Sequence, residues 1–166
     1  MTKTRFIGLS IMVAATALSA DWPAFRGPNR SGIVESAEVI LLEEPKLLWK
    51  AKVGTGHSGC VISNGLMVTI GDHNLICLDE SSGEQVWKAS GIKTYGTPTI
   101  SRDRVYALAG KRPVATCHDL ETGREIWRRE LPVMVAGKDY FHTGSPLVID
   151  DLVFLNSGGG VALDWE

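Results

Sequence analysis

Three side chains that could hold a ligand or a metal ion stand shortly before short apolar runs of the chain: His57, Tyr95 and His142. An imidazole can ligate a metal or exchange a proton near neutral pH, and a phenol can stack on a ligand or donate a hydrogen bond. If the apolar runs are strands that lie side by side, the three groups meet at one end of them. The alternative is that each ring caps or packs against its own strand.

The segment around His142 adds further candidates. Residues 132–143 form a longer connection than the equivalent stretch that carries Tyr95, and they contain Lys138, Asp139, Tyr140, Phe141 and His142. Long loops on a rigid scaffold often carry function. We therefore group Lys138, Tyr140 and His142 with His57 and Tyr95 as a candidate ligand face. A surface insertion without a role is the alternative.

Common catalytic and metal-binding patterns do not occur in the sequence. It contains no Cys-x-x-Cys, no His-Glu-x-x-His and no nucleophile elbow, and neither His73 nor His118 has metal-ligand spacing. The run Gly158-Gly159-Gly160 lies between two predicted strands and not before a helix, so it indicates a turn and not a phosphate-binding loop. The residues alone identify no catalytic site and no metal site.

Composition excludes a few classes of partner. The chain has 166 residues, a net charge of −2 and 22% charged residues, which is ordinary for a globular protein. It has neither the basic excess of a nucleic-acid-binding protein nor an acidic tail.

A repeated pattern organises the chain and must position these candidates. It reads small-x-Asp-x-x-x-Gly-x-x-x-Trp, occurs twice, and begins a third time; its residues are Cys77, Asp79, Gly83 and Trp87, then Cys117, Asp119, Gly123 and Trp127, then Ala162 and Asp164. The aspartate can accept hydrogen bonds from turn amides, and the glycine supplies a positive φ. The tryptophan can cover a neighbouring unit, with the small residue leaving room for its ring. The pattern predicts a strand, a tight turn and a second strand.

The spacing of the tryptophans gives the length of one unit. Trp87 follows Trp49 by 38 residues, and Trp127 follows Trp87 by 40. A period near 40 residues with several short strands per unit indicates propeller blades. The predicted strands are Cys60–Ser63, Leu66–Ile70, Leu75–Asp79, Gln85–Ala89, Thr97–Ser101, Arg104–Ala109, Val114–Asp119, Glu125–Leu131, Ser145–Ile149, Leu152–Asn156 and Val161–Asp164.

The motif resembles the Trp-docking motif of the pyrroloquinoline-quinone-type (PQQ-like) β-propeller repeat, in which Cys77 and Cys117 stand where the family prefers alanine. The resemblance covers roughly residues 46–166 and implies an all-β propeller of four-stranded antiparallel blades. Trp49 occupies the docking position without a preceding Asp and Gly, so Lys46–Val53 is interpreted as an orphan outer strand. With about two and three-quarter blades after it, the chain is expected to be a piece of a propeller, since propellers close with about four to eight blades.

The resemblance leaves two functions open. One is a non-enzymatic scaffold that binds a protein or a small ligand at the propeller face, as in the barrel-assembly propeller of the outer membrane. The other is part of an alcohol or sugar dehydrogenase that binds PQQ and calcium through acidic residues, an asparagine, stacking aromatics and often two adjacent cysteines. No adjacent cysteines occur, and none of those catalytic residues can be placed on this sequence. No cofactor is therefore identified, and we favour the non-enzymatic scaffold.

The first 45 residues precede the repeats. Residues 1–20 have the layout of a secretory signal peptide: Lys3 and Arg5, an apolar run from Phe6 to Leu18, and small residues that permit cleavage after Ser19 or Ala20. The protein is thus expected to be exported, to the periplasm or the medium, and to keep no membrane span. Residues 21–45 are rich in Pro and Gly, and we expect them to plug Trp22 and Phe25 into the propeller face.

Export permits disulfides, and the chain has three cysteines, Cys60, Cys77 and Cys117. Cys77 and Cys117 hold equivalent places in adjacent units, which should keep them apart, whereas a bond between Cys60 and Cys77 within one unit is possible. The favoured interpretation is that all three are buried as small apolar side chains.

Overall fold

The computed structural model describes residues 21–34, 44, 46–110, 112–132 and 143–164 of the chain. In this part the protein is all-β, and the strands form three antiparallel sheets. The strands are β1 (Val61–Ser63), β2 (Leu66–Gly71), β3 (Asn74–Asp79), β4 (Gln85–Ser90), β5 (Thr99–Ser101), β6 (Arg104–Ala109), β7 (Val114–Asp119), β8 (Glu125–Glu130), β9 (Leu147–Ile149), β10 (Leu152–Asn156) and β11 (Gly160–Asp164).

Each sheet is a meander in which neighbours in sequence are neighbours in space. We call β1–β4 blade 1, β5–β8 blade 2 and β9–β11 blade 3. The predicted all-β architecture is confirmed, and the ends of these strands lie within two residues of the predicted ones. Lys46–Val53, interpreted as an orphan outer strand, has no strand pairing among the described residues, and Leu47 and Leu48 are exposed, as expected for a strand without a partner.

Left-handed turns close the hairpins. Asn64 and Gly65 between β1 and β2 have φ values of 53° and 73°, and Arg102 and Asp103 between β5 and β6 have values of 50° and 57°. Two consecutive residues with positive φ give a turn whose twist matches that of the paired strands. Local sequence therefore sets the first hairpin of both blades.

The apolar core lies between the blades, because each blade is a single sheet that must bury both faces. One cluster joins blades 1 and 2 and the other joins blades 2 and 3. The first includes Val61, Val68, Leu75, Cys77, Trp87, Val105, Ala107 and Leu120, and the second includes Tyr106, Leu108, Ala115, Cys117, Trp127, Val153 and Leu155. Burying one such large apolar side chain contributes about 1.5–3 kcal/mol, so contacts between blades hold the fold together.

Residues 21–34, which we call the strap, cross the first strands of all three blades. Trp22 exchanges both backbone hydrogen bonds with Ile62 of β1, at 2.9 and 3.0 Å. The carbonyl oxygen of Pro23 accepts a hydrogen bond of 2.7 Å from the Ile100 amide in β5. Arg30 Nη2 donates to the carbonyl oxygen of Val148 in β9 at 3.4 Å. One short segment thus ties three sheets together.

The strap differs from the prediction in which of its side chains are buried. Trp22 is half-buried, but Phe25 is 59% exposed, so the expectation that Phe25 plugs the propeller face is wrong. The small Ala24 is the buried residue of this turn instead, and the Gly27 amide closes the turn by donating to the Ala24 carbonyl oxygen at 2.9 Å. Within this turn Ala24 faces the protein and Phe25 faces solvent.

The predicted signal peptide, residues 1–20, lies outside the described residues. In the part of the chain that the structure describes, no helix is long and apolar enough to cross a membrane.

Candidate functional site

The repeated motif forms the same hydrogen-bonded turn in blades 1 and 2. Asp79 Oδ1 accepts hydrogen bonds from the backbone amides of Ser81 and Ser82, at 3.0 and 2.8 Å, and from both serine hydroxyls. Asp119 Oδ1 accepts from the amide and hydroxyl of Thr122, at 2.8 and 2.6 Å. An aspartate that binds its own turn in this way fixes the start of the next strand.

Each of these turns receives a tryptophan from the preceding stretch of chain. The indole of Trp49 lies against Gly83 and donates from Nε1 to the carbonyl oxygen of Glu80 at 2.9 Å. The indole of Trp87 lies against Gly123 and donates to the carbonyl oxygen of Leu120 at 2.7 Å. Both contacts need a glycine, because a Cβ there would lie within 2.6 Å of ring atoms. The turns are therefore joints between successive units.

Trp127 of blade 2 packs against blade 3 as Trp87 of blade 1 packs against blade 2. It is 8% exposed, and its ring centroid lies 6.1 Å from that of Tyr106. A cavity of about 240 Å³ beside it is lined by Trp127, Arg129, Leu163 and Asp164. Ala162 and Asp164, the third start of the motif, both lie on β11, but only Asp164 lines this cavity with Trp127.

The hydrogen bonds to the motif aspartates favour their ionised form. The Ser81 hydroxyl, followed by the amide and hydroxyl of Ser82, lowers the pKa of Asp79 to about 2. The Thr122 hydroxyl and amide lower the pKa of Asp119. A carboxylate whose folded pKa lies below its unfolded value adds stability above the unfolded pKa and loses it as the pH falls.

We therefore expect Asp79 to contribute to acid sensitivity below pH 4. The contribution is fully present above the ordinary pKa of 3.8 and disappears as the pH falls towards 2. In Asp79→Asn this part of the pH dependence should be absent, so denaturant midpoints between pH 4 and 2 should change less than in the wild type. Asp150→Asn serves as the matched control, since its carboxylate lies in an exposed turn outside the motif. Equal slopes for wild type and Asp79→Asn would contradict this role.

Two of the five candidate ligand residues come together on the opposite end of the sheets. The rings of His57 and Tyr95 are 4.8 Å apart between centroids and meet edge to face at 73°. Both side chains are exposed, and they border a cleft of about 160 Å³ together with Thr55, Ile70, His73 and Thr94. Lys138, Tyr140 and His142 lie outside the described residues. The sequence pattern did not include His73, whose place in the β2–β3 turn puts it at the same end.

Hydrogen bonds between loops hold this cleft in shape. The Asp72 carboxylate accepts from the backbone amide and the hydroxyl of Thr55, both at 2.8 Å, and these bonds lower its pKa. The carbonyl oxygen of His73 accepts from the Ile92 amide at 2.8 Å, which ties the loop before Tyr95 to blade 1. The cleft is thus built from segments that are fixed to one another.

The three cysteines are free, and they do not share one environment. Cys77 and Cys117 are fully buried opposite Trp87 and Trp127, and burial raises the pKa of their thiols to about 12 and about 11. Cys60 is exposed. The expectation that all three are buried is therefore wrong for Cys60, because it precedes the first strand of blade 1 and does not lie within a sheet. No bond joins Cys60 to Cys77.

The described residues define a class of protein, a segment of an antiparallel β-propeller whose blades are joined by tryptophans. The family model for outer membrane protein assembly factor BamB matches residues 35–165. The chain belongs to this family of PQQ-like β-propeller repeat proteins. No curated protein is similar enough in sequence to give a significant match.

Three solved structures show the same fold. A quinohemoprotein alcohol dehydrogenase from Comamonas testosteroni is 17% identical with a TM-score of 0.69, over 92% of this chain and 27% of that one. The dehydrogenase ADHIIG from Pseudomonas putida HK5 is 16% identical with a TM-score of 0.68, over 89% and 25%. BamB from Moraxella catarrhalis is 19% identical with a TM-score of 0.57, over 69% and 35%. The chain thus spans between a quarter and about a third of these proteins.

Proposed function

We propose that this chain is part of an exported, non-enzymatic propeller that presents a protein-binding face. The observation that carries this proposal is the contact between His57 and Tyr95, two exposed rings from the entry loops of two different blades. Exposed aromatic groups on a fixed framework are the usual anchors of protein interfaces, because little conformational freedom is lost when they are covered. Export to the periplasm or the medium is part of the proposal.

The family supports a role in assembly. Its model carries the name of an outer membrane protein assembly factor, and this name describes a protein that acts through other proteins. A fold alone does not fix function, so the partner is proposed from the site: a protein surface with apolar and hydrogen-bond-accepting groups that complement a phenol and two imidazoles. His57, Tyr95 and His73 supply those groups at the cleft.

A photo-crosslinking experiment tests the face directly. We would place p-benzoylphenylalanine at Tyr95 in the exported protein and, as the matched control, at Val86 on the outer strand β4. Val86 is 48% exposed and Tyr95 is 39% exposed, so the two positions are similarly accessible. A discrete protein adduct is expected at position 95 and not at 86. No adduct at 95, or equal adducts at both positions, would contradict the proposed face.

The runner-up function is a quinoprotein alcohol or sugar dehydrogenase, which two of the structural likenesses keep open. Within the described ranges, no three His, Cys, Asp or Glu side chains are grouped so that they could hold a metal ion. The described residues therefore do not fit a calcium site. Dye reduction by the full-length protein with PQQ, calcium and an alcohol would favour this function over the scaffold.

A further inference from the structure

His118 is an ionisable group enclosed inside blade 2. It lies on β7 opposite Val105 of β6 and is 2% exposed. Its Nδ1 is 3.2 Å from the carbonyl oxygen of Gly123. A carbonyl oxygen only accepts hydrogen bonds, so Nδ1 carries the proton and Nε2 is the bare nitrogen of the neutral ring. Nε2 is buried, and it has no hydrogen-bond partner among the described residues.

His118 binds Gly123, and Gly123 is also the residue that Trp87 of blade 1 contacts. The indole of Trp87 lies against Gly123 and donates to the carbonyl oxygen of Leu120 in the same turn. The imidazole and the indole therefore hold one turn from two sides. The ring that can change its charge therefore lies beside the contact between blades 1 and 2.

Blade 1 provides a natural comparison inside the same chain. Leu78 holds the place of His118, next to the same irregularity in strand register. Trp49 lies on Gly83 as Trp87 lies on Gly123. The turn in blade 1 thus receives its tryptophan without an ionisable side chain beneath it, and this turn should not respond to the titration of a histidine.

Protonation of the His118 ring would place a positive charge at the enclosed Nε2. Glu125, its partner on β8, favours the charged ring, whereas Arg128 on the same strand opposes it. The nearby Asp119 carboxylate is bound to Thr122, and that of Asp103 binds Asn64 of blade 1. Burial has the largest effect and lowers the pKa of the imidazole; it outweighs the hydrogen bond to Gly123, which raises that pKa.

We propose that His118 makes the joint between blades 1 and 2 sensitive to acid. The neutral ring holds the Gly123 turn in the form that receives Trp87, and protonation at Nε2 requires the ring to leave its enclosed place. A histidine whose pKa is lower in the folded than in the unfolded protein does not reduce the stability of the fold at a pH above its unfolded pKa. It destabilises the fold as the pH falls below about 6.5.

Denaturant unfolding of the full chain at pH 7.5 and 5.0 tests whether His118 destabilises the fold in acid. If the folded ring stays neutral throughout, it lowers the folded-to-unfolded ratio by up to about thirtyfold between these values, given an unfolded pKa of about 6.5. His118→Leu, which places the equivalent residue of blade 1 (Leu78) at this position, should not show this pH-dependent change in the folded-to-unfolded ratio. His57→Leu, a change at an exposed histidine, should retain it. Equal pH dependence in the wild type and His118→Leu would overturn the proposal.

Two measurements on the wild type test the geometry without a variant. Imidazole nitrogen NMR should show a proton on Nδ1 and a ring that titrates below the ordinary histidine pKa; a ring that titrates normally would overturn the proposal. Between pH 7 and 5, hydrogen exchange should become relatively faster at the Asp119 and Gly123 amides than at the equivalent Asp79 and Gly83 amides. Those four amides close the two turns in the same way, so the comparison cancels the intrinsic effect of pH. Unchanged relative protection would refute an acid-sensitive joint.

Discussion

Replacing Trp87 with alanine should destabilise the protein by about 3–5 kcal/mol, the usual cost of removing a large buried aromatic side chain. The indole is 8% exposed, packs in the cluster between blades 1 and 2, and donates to Leu120 at 2.7 Å. Its loss leaves a cavity and an acceptor without its donor. We expect Trp127→Ala to have a similar cost, because that ring is equally buried in the second cluster.

The measurement is the urea midpoint and slope of the full-length protein. Val86→Ala is the matched control: this neighbour on β4 is 48% exposed, and its truncation should cost no more than about 0.5 kcal/mol. A loss below about 1 kcal/mol for Trp87→Ala would show that the ring does not hold the blades together.

The second large effect is expected at Gly123. Its φ is +70°, and a Cβ there would lie 2.5 Å from the indole of Trp87. An alanine therefore meets two separate penalties: about 1–2 kcal/mol for a left-handed backbone conformation and about 1–3 kcal/mol for forcing extra atoms into a packed contact. Gly123→Ala should lower the free energy of unfolding by about 2–5 kcal/mol.

Replacing Gly65 with alanine measures the backbone penalty without the packing penalty. The φ of Gly65 is +73°, but no atom lies within 4 Å of a Cβ built there. Gly65→Ala should thus cost only the backbone share, about 1–2 kcal/mol. In the Trp87→Ala background, the cost of Gly123→Ala should fall to that of Gly65→Ala, because the ring it meets has been removed. If both glycine changes cost the same in the wild type, the ring contact makes no measurable contribution at Gly123.

The strands were predictable because their signals are local. Alternating apolar residues and turn pairs such as Asn64-Gly65 set the meander within each blade, and the 38- and 40-residue intervals between tryptophans set the repeat. The errors concern the side chains of Phe25 and Cys60, whose burial depends on contacts that the local sequence does not specify. Lys46–Val53 has the composition of a strand and no partner edge among the described residues, which agrees with its interpretation as an orphan strand.

The candidate site was predictable only in part. Loop position alone brought His57 and Tyr95 to one place, whereas His73 comes from a turn within blade 1 and has no matching residue in the repeat. His118 looked like an isolated histidine, and nothing in the spacing of residues shows that its ring is enclosed beside Gly123. The exposure of Phe25 follows from a turn that the sequence of the strap does not specify by itself.

The strap also constrains the order in which the molecule can assemble. Its hydrogen bond from Arg30 to Val148 joins residues 118 positions apart, whereas hairpins within a blade join close neighbours. Repeat proteins can grow from any unit by nearest-neighbour contacts, but contacts of large sequence separation slow folding. A chain made from its N-terminus onward holds the strap unfinished until blade 3 has formed. The strap then docks in stages: Trp22 can pair with Ile62 as soon as blade 1 has formed, whereas Arg30 stays without its Val148 acceptor until β9 is in place.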